Sequence, residues 1–371
     1  MRHLTLVGGG HAHVHVLKAF GLAPWPGVRV TLVTRDLLTP YSGMLPGHIA
    51  GLYTRADCHV DLARLCAFAG VDLVHASVEG ADLEARTLRV AGRPPLPYDV
   101  ASFDVGSAAR LDAPGVAEHA LTVRPVERFL ALWEAALARA RAGGIARVVV
   151  AGGGAAGVEL LLNMQARLAR ETARAPAFTL VAGGGLAPGM GALPRRRLAA
   201  ALRARGAEVI EAHAAEVRAD GVTLDDGRRL AAELVVWATG AAAHPWLRET
   251  GLTLDEKGFI VVDAALRSVD DPAVFAAGDT AAVAPHPREK AGVYAVRQGP
   301  PLAENLRRAL AGEAPQPFDP QRRALQLIGE GDRTAIGIMG PLALRGRAMW
   351  RLKDWIDRRW MAAYRDLPPR R

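Results

Sequence analysis

Arg147-Val148-Val149-Val150-Ala151-Gly152-Gly153-Gly154-Ala155-Ala156-Gly157-Val158-Glu159 is the stretch whose reading decides the fold. A short apolar strand runs into a turn with glycine at its first, third and sixth positions. A helix then continues to about Arg170, and Phe178–Val181 supplies the next strand. Strand, glycine turn, helix and strand form a βαβ unit of the dinucleotide-binding kind. Small glycines let the backbone approach a pyrophosphate, and the helix N-terminus supplies N–H donors and positive dipole. Gly152, Gly154 and Gly157 are therefore cofactor-binding candidates.

The pattern has a counterpart at the N-terminus. Leu4–Val7 is a strand, Gly8-Gly9-Gly10 a turn, His13–Phe20 a helical stretch and Val28–Val33 a second strand. Gly8 and Gly10 fit the fingerprint, but His13 stands where the third glycine belongs. Two such units, each followed by about a domain's worth of chain, predict two nucleotide sites. The length of 371 residues suits two or three domains. Half of the residues are apolar, enough to build cores without disulfide or metal staples. Further on, Leu234–Trp237 reads as a strand ending in Ala238-Thr239-Gly240, and Val274–Ala277 as a strand ending in Gly278-Asp279. Leu302–Leu310 reads as a helix, Ala324–Ile328 as a strand and Arg347–Tyr364 as a terminal helix.

The net charge of +8 invites a nucleic-acid reading, but its position argues otherwise. Nine basic and three acidic residues between Arg345 and Arg371 account for +6 of it, so the remaining body is nearly neutral. Arginine outnumbers lysine 42 to 4, a compositional bias that says little about partners. No aromatic-and-basic binding motif accompanies the excess, so no nucleic-acid partner is expected. Cys58 and Cys66 have neither C-x-x-C nor zinc-like spacing and read as reduced thiols of a cytosolic protein. Met1–Val7 is too short for a signal-peptide apolar core, and no window matches a membrane span.

Taken together, these motifs resemble the two-dinucleotide-binding-domain flavoproteins, the pyridine nucleotide–disulfide oxidoreductase superfamily. Four signals occur in that superfamily's order: Gly8-x-Gly10 for FAD, Gly152-x-Gly154-x-x-Gly157 for NAD(P)H, Ala238-Thr239-Gly240, and Gly278-Asp279. Asp104-Val105-Gly106-Ser107 resembles the end of the strand that closes the first FAD half, which adds Gly106. Within the superfamily the chain resembles type II NADH dehydrogenases and sulfide:quinone reductases. Gly8-Gly9-Gly10-His11-Ala12-His13, Thr39–Gly47 and Arg351–Asp357 also resemble the flavoprotein module fused to selenide, water dikinase.

The resemblance implies an α/β fold with two Rossmann-like domains. An FAD domain (residues 1–125 and 250–318) would be split by an inserted NAD(P)H domain (126–249). A cap with an amphipathic helix would follow (319–371). It implies that Asp279 holds the ribitol or pyrophosphate region of FAD, with helix N-capping as the alternative. It places His11 and Ala12 at the FAD pyrophosphate turn, and Tyr41, Ser42, Gly43 and Met44 at the flavin edge. It also places Lys290-Ala291-Gly292 under the isoalloxazine, where a cation or N–H would stabilise reduced flavin. Glu159 is pointed toward the nicotinamide–flavin junction, although an acid early in a helix is also favoured by the dipole. His11 and His15 stand four apart, but they sit where a pyrophosphate belongs, and no metal site is expected.

Three departures sharpen the expectation. The second strand ends in Thr34-Arg35 rather than an acid, so Thr34 and Arg35 become the ribose candidates. The corresponding place in the NAD(P)H domain is Ala182-Gly183-Gly184, which leaves NADH against NADPH open; Arg195, Arg196 and Arg197 could meet a 2′-phosphate or simply face solvent. Thirdly, the Tyr41–Ile49 segment that would carry a redox-active pair has no cysteine, and none follows Cys66. Thiol chemistry is thereby disfavoured. The expected activity is hydride transfer from NADH or NADPH to FAD, then delivery to a quinone or another non-thiol small acceptor. Two alternatives stand beside it: a selenium- or sulfur-linked flavin reductase, and a nucleotide-binding regulatory module without turnover.

On a 100°-per-residue wheel the terminal helix places Ala348, Met349, Leu352, Trp355, Ile356, Trp360 and Ala363 on one face. Arg347, Arg351, Arg358 and Arg365 lie opposite. The pattern fits an interfacial helix on a membrane surface and equally a helix packed on the body. The expected location is cytoplasmic, with peripheral attachment to the inner membrane face through residues 345–371 as one outcome.

Overall fold

The computed structural model describes residues 1–321 and 323–368. Its first layer begins with β1 (Arg2–Val7), α1 (His11–Leu22) and β2 (Val28–Thr34), as the N-terminal pattern predicts. The short α2 (Leu45–Ile49) precedes β3 (Asp72–His75) and β4 (Val100–Phe103). β1 pairs in parallel with β2 on one side and β4 on the other. Leu4, Leu6 and Val7 are buried in a core that takes in Val14, Leu17 and Phe20 of α1 and Leu88 and Val90 of an antiparallel strand (Thr87–Val90).

The second layer holds β5 (Ala120–Thr122), α3 (Val126–Arg141), β6 (Arg147–Ala151) and α4 (Ala155–Glu171). It continues through β7 (Ala177–Val181), α5 (Ala192–Ala204), β8 (Glu208–Ile210) and β9 (Leu234–Trp237). A three-stranded antiparallel meander (Ala214–Arg218, Gly221–Leu224 and Arg229–Ala231) fills the interval before β9. The chain then returns to the first layer through β10 (Val274–Ala276), which pairs with β4, and α6 (Gly292–Ala311), which packs along α1. The sheet orders are β10-β4-β1-β2-β3 and β5-β9-β6-β7-β8.

Each order reverses direction at the strand carrying the glycine turn, and the crevice at such a switch point is where α/β sheets bind ligands. Ala120–Thr122, expected in the first FAD segment, is instead an edge strand of the second sheet, so the crossover falls earlier than residue 125. Two connecting strands, Ala108–Ala109 and Ala241–Ala242, pair antiparallel where the chain passes between the layers.

The C-terminal region joins both cores. β11 (Gln326–Gly329), β12 (Ala335–Met339) and β13 (Leu342–Gly346) form an antiparallel sheet. Its Ile328, Ile336, Ile338 and Ala343 pack into the second core. The terminal helix α7 (Arg347–Arg365) puts Trp350, Met361 and Tyr364 into the first. One short region thus spans the junction between the two nucleotide crevices.

α7 is rotated from the amphipathic expectation. Its buried positions are Trp350, Lys353, Asp357, Met361 and Tyr364, whereas Trp355 is 57% exposed and Leu352 and Ile356 are half-buried. The inward face is turned by roughly a third of a revolution from the all-apolar one. The reason is polar satisfaction: Lys353 and Asp357, four apart, find hydrogen-bond partners inside that compensate their desolvation.

Candidate functional site

The first glycine turn closes on Asp104, just past β4. Gly8 has φ +88°, and a Cβ there would stand 2.5 Å from the Asp104 carbonyl oxygen. A Cβ on Gly10 would stand 2.2 Å from Asp104 Oδ1. The Asp104 carboxylate accepts from the N–H groups of Ala12 (2.9 Å) and His13 (3.1 Å), both on Oδ2. Burial pushes it up to about 7, against the pull of those two N–H groups. The N–H of Gly10 donates to the Asp104 carbonyl, and among the described residues the N–H of His11 has no acceptor.

His13, in the third-glycine position, is fully buried. Its Nδ1 lies 2.7 Å from the Gly8 carbonyl and its Nε2 2.8 Å from Ser102 Oγ. A carbonyl only accepts, so Nδ1 carries the proton and Nε2 accepts from the Ser102 hydroxyl. Burial lowers the imidazole to about 4 and keeps it neutral. His11 is likewise lowered to about 4 by burial, and its Nε2 accepts from the Ser42 N–H at 3.4 Å. His15 turns elsewhere, its Nδ1 3.4 Å from the Tyr364 hydroxyl.

The second glycine turn is more open. Gly152 has φ +133° and a Cβ there would meet the Ala238 carbonyl at 2.4 Å. Gly157 lets α4 pack on the turn, since a Cβ would stand 1.9 Å from the Gly152 carbonyl oxygen. Gly154, the N-cap of α4, faces open space, and no side chain caps this helix. Its first N–H groups are arranged to receive an anion.

Gly278 has φ +63° and its N–H donates to Gln298 Oε1 at 2.6 Å. Asp279 Oδ2 accepts from the Ser107 hydroxyl at 2.8 Å and lies 3.5 Å from Arg124. Gly106 (φ +71°) opens onto free space beside it. Gly292 begins α6 after Ala291, and a Cβ there would stand 2.2 Å from Ser42 Oγ. The Ser42–Gly43 turn and the start of α6 are thus brought together.

Four expected site residues are placed differently. Met44 is 1% exposed and packs in the first core, because the chain turns inward after Gly43. Thr34 Oγ1 already donates to the Asp36 carbonyl and accepts from the Asp36 N–H, closing a local turn; Arg35 pairs with Asp36 at the surface. Lys290 donates to the Ala281 carbonyl at 2.6 Å and lies 3.8 Å from the Phe259 ring centre. Burial lowers it to about 8.

The buried cation at the junction is Lys353, which sequence reasoning passed over. Its Nζ donates to the Gly43 carbonyl (2.6 Å) and to Asp357 Oδ2 (3.1 Å), and lies 3.9 Å from Glu159 Oε1. Glu159 stands beyond the first turn of α4, so the helix dipole does not explain it. Its Oε1 accepts from the Gly329 N–H at 2.8 Å. Burial raises both Glu159 and Asp357, with Lys353 opposing. The two acids hold Lys353 in its charged form. The Tyr41 hydroxyl bonds Asp357, and its ring stacks on Trp360 at 4.1 Å. A usable signal existed: Lys353 is one of four lysines in a chain with 42 arginines, and an acid follows four residues later.

Residues 2–305 match the family described as pyridine nucleotide-disulphide oxidoreductase. The chain belongs to this family. The family is one of NAD(P)H- and flavin-using oxidoreductases, and the two cysteines of this chain do not form a disulfide. Cys58 and Cys66 are free and buried, and burial raises both thiols to about 12. An NADH dehydrogenase-like protein of Mycobacterium tuberculosis is 32% identical over 237 residues, which is 61% of this chain and 59% of that relative. This chain therefore aligns with only about three fifths of that relative's length. A demethylphylloquinone reductase of Synechocystis is 25% identical over 75% of this chain and 71% of its own length. In fold, the chain superposes on a sulfide:quinone oxidoreductase of Aquifex aeolicus with a TM-score of 0.83 and 16% identity, covering 99% and 92% of the two chains. It superposes on NDH2 of Plasmodium falciparum with 0.78 and 13% identity, covering 98% and 97%.

Proposed function

We propose that the chain is an FAD-dependent NAD(P)H dehydrogenase that passes electrons to a quinone or a similar non-thiol small acceptor. FAD, when bound, would accept hydride from the nicotinamide and release the electron pair to the acceptor. The residues fit that cofactor: among the described residues the His11 N–H has no acceptor, and Gly106 opens onto free space, while Gly8, Gly10 and Gly278 let the turns close on Asp104. Ser42, Gly43, Ala291 and Gly292 would border its reactive end. Gly152, Gly154 and Gly157 would hold the nicotinamide dinucleotide.

The observation that carries the reading is the Glu159–Lys353–Asp357 cluster between the two crevices. One buried cation faces two buried carboxylates, and burial raises both acids against the pull of Lys353. Reduction of a quinone consumes protons as well as electrons, and Glu159 and Asp357, beside the Gly43 turn, would be the groups to relay them. The two buried thiols offer no competing relay. Quinone reductases among the relatives agree with this acceptor class.

The same reading includes docking on a membrane surface. Leu342 and Leu344 of β13, Met339 of β12 and Trp355 of α7 are exposed large apolar residues. Arg347, Arg351 and Arg359 stand exposed on α7, with the Arg359 guanidinium 5.3 Å from the Trp355 ring centre. Apolar anchors beside cations suit an anionic bilayer. Among the described residues no helix is long and apolar enough to cross a membrane.

The test is anaerobic addition of NADH, then NADPH, to FAD-reconstituted protein, followed by a water-soluble quinone. Loss of the visible flavin band and its return with quinone is the expected result. A bound flavin that neither nucleotide reduces overturns the proposal.

A further inference from the structure

The two glycine turns permit an internal comparison. Asp104 follows β4 as Ala238 follows β9, and both strands flank the strand that carries the glycine turn. The Asp104 N–H donates to the Val7 carbonyl at 2.8 Å, and the Ala238 N–H donates to the Ala151 carbonyl at 2.8 Å. Their carbonyls meet the first glycine of each turn at 2.5 and 2.4 Å from a Cβ position. The backbone is the same. The side chains differ: acid against methyl here, and His13 against Gly157 on the facing helix. The second turn shows that this fold does not require the acid.

Asp104 instead occupies the donor end of α1. It takes two of the first-turn N–H groups that an anion at a helix N-terminus normally uses. Its other oxygen, Oδ1, lies between the Gly10 turn and the Gly278 turn, 2.2 Å from a Cβ position on Gly10 and 2.5 Å from one on Gly278. A pyrophosphate brought to the same helix end adds negative charge next to this buried carboxylate.

Resting on the reading of this crevice as the FAD site, we propose that Asp104 holds the cofactor's pyrophosphate as the neutral acid, so that FAD binding takes up a proton there. Oδ2 continues to accept from Ala12 and His13, and the new Oδ1–H becomes a donor toward a phosphate oxygen. The surroundings favour this. From α1 it is faced by His11 and His13, both neutral. From the Gly278 turn it is faced by Asp279, whose charge repels a second carboxylate and which is itself engaged by Ser107 and Arg124. α6 contributes only the Gln298 amide, bonded to Gly278, and β4 the Ser102 hydroxyl, bonded to His13. Among the described residues no cation contacts the Asp104 carboxylate. Burial already brings the acid to about 7 in the free protein.

The sign follows from linkage. A group that gains a proton on binding weakens that binding as pH rises above its free-state value. With the free acid at about 7, FAD affinity should fall roughly 25-fold between pH 6.5 and 8.5. The experiment is FAD titration of the apoprotein, followed by flavin fluorescence, across that range. Asp104→Asn keeps an oxygen for the two N–H groups and cannot titrate, so its affinity should stay flat. Lys290 also titrates near 8 and is the competing explanation. Calorimetry in two buffers of different ionisation heat therefore counts protons in wild type and in Lys290→Met. Uptake of about three quarters of a proton at pH 7.5 in both is expected, and this arm stands even if the Asn variant does not fold. A flat wild-type affinity, a sloping Asp104→Asn variant, or uptake lost in Lys290→Met each overturns the proposal while leaving the FAD reading intact. No FAD binding at any pH overturns both.

Discussion

Replacing Lys353 by Met should unbalance the junction in a pH-dependent way. The methionine matches the length of the stem but removes the only cation within 4 Å of Asp357 and Glu159 among the described residues. Breaking a buried pair by removing one partner costs about 3–5 kcal/mol. A second route reaches the same figure. The stranded Asp357 carboxylate avoids the loss by taking a proton, and protonating an acid of ordinary pKa near 4 at pH 7 costs about 4 kcal/mol. At pH 5 the same step costs only about 1.4 kcal/mol. The deficit of the variant should therefore shrink by more than half from pH 7 to pH 5. Urea unfolding followed by tryptophan fluorescence reads it, because Trp350 and Trp360 lie on the same helix. Asp357→Asn should recover part of the loss in the Lys353→Met background, with a coupling of about 2 kcal/mol or more between the two sites. A deficit under about 1 kcal/mol, equal at both pH values, would refute the assignment of a charged, interdependent cluster.

Glu159→Gln keeps an oxygen for the Gly329 N–H, so stability should hold while turnover with quinone falls roughly 100-fold or more. Nicotinamide-driven flavin bleaching in the same variant separates the proton step from hydride transfer. Cys58→Ala with Cys66→Ala should retain turnover, and abolished activity with an intact far-ultraviolet spectrum would restore a thiol mechanism. Leu342→Glu with Trp355→Glu should lower co-sedimentation with anionic vesicles at least tenfold, since each buried apolar side chain contributes about 1.5–3 kcal/mol. Unchanged binding would rule out this face as the dock. Point variants are preferred because deletion of residues 345–371 would also remove Lys353 and Asp357.

The crevices were legible because their requirement is local. A backbone that must pass close to a neighbouring carbonyl, as at Gly8 and Gly152, tolerates no side chain, and glycine records that requirement in sequence. The same holds for β1 and β6, whose apolar runs need no partner to be read as strands. The terminal helix shows the opposite case. Its wheel displays an apolar face, yet the helix buries Lys353 and Asp357, because the Gly43 carbonyl and Glu159 await them from elements 310 and 194 residues away in sequence. Lys290 drew attention by its neighbours in sequence, but the Ala281 carbonyl and the Phe259 ring hold its ammonium.

By itself, then, the chain's order of residues determined two parallel α/β layers, two glycine turns between strand and helix, and the exclusion of a cysteine pair at Tyr41–Ile49. Those features depend on backbone sterics and hydrophobic period, which act over a few residues. Only the tertiary structure decided which acid closes the first turn, which cation stands at the junction and which face of the last helix looks outward. Those depend on where buried charges find partners. Such partners come from distant elements, and desolvation makes their presence or absence outweigh the pattern of any one helix.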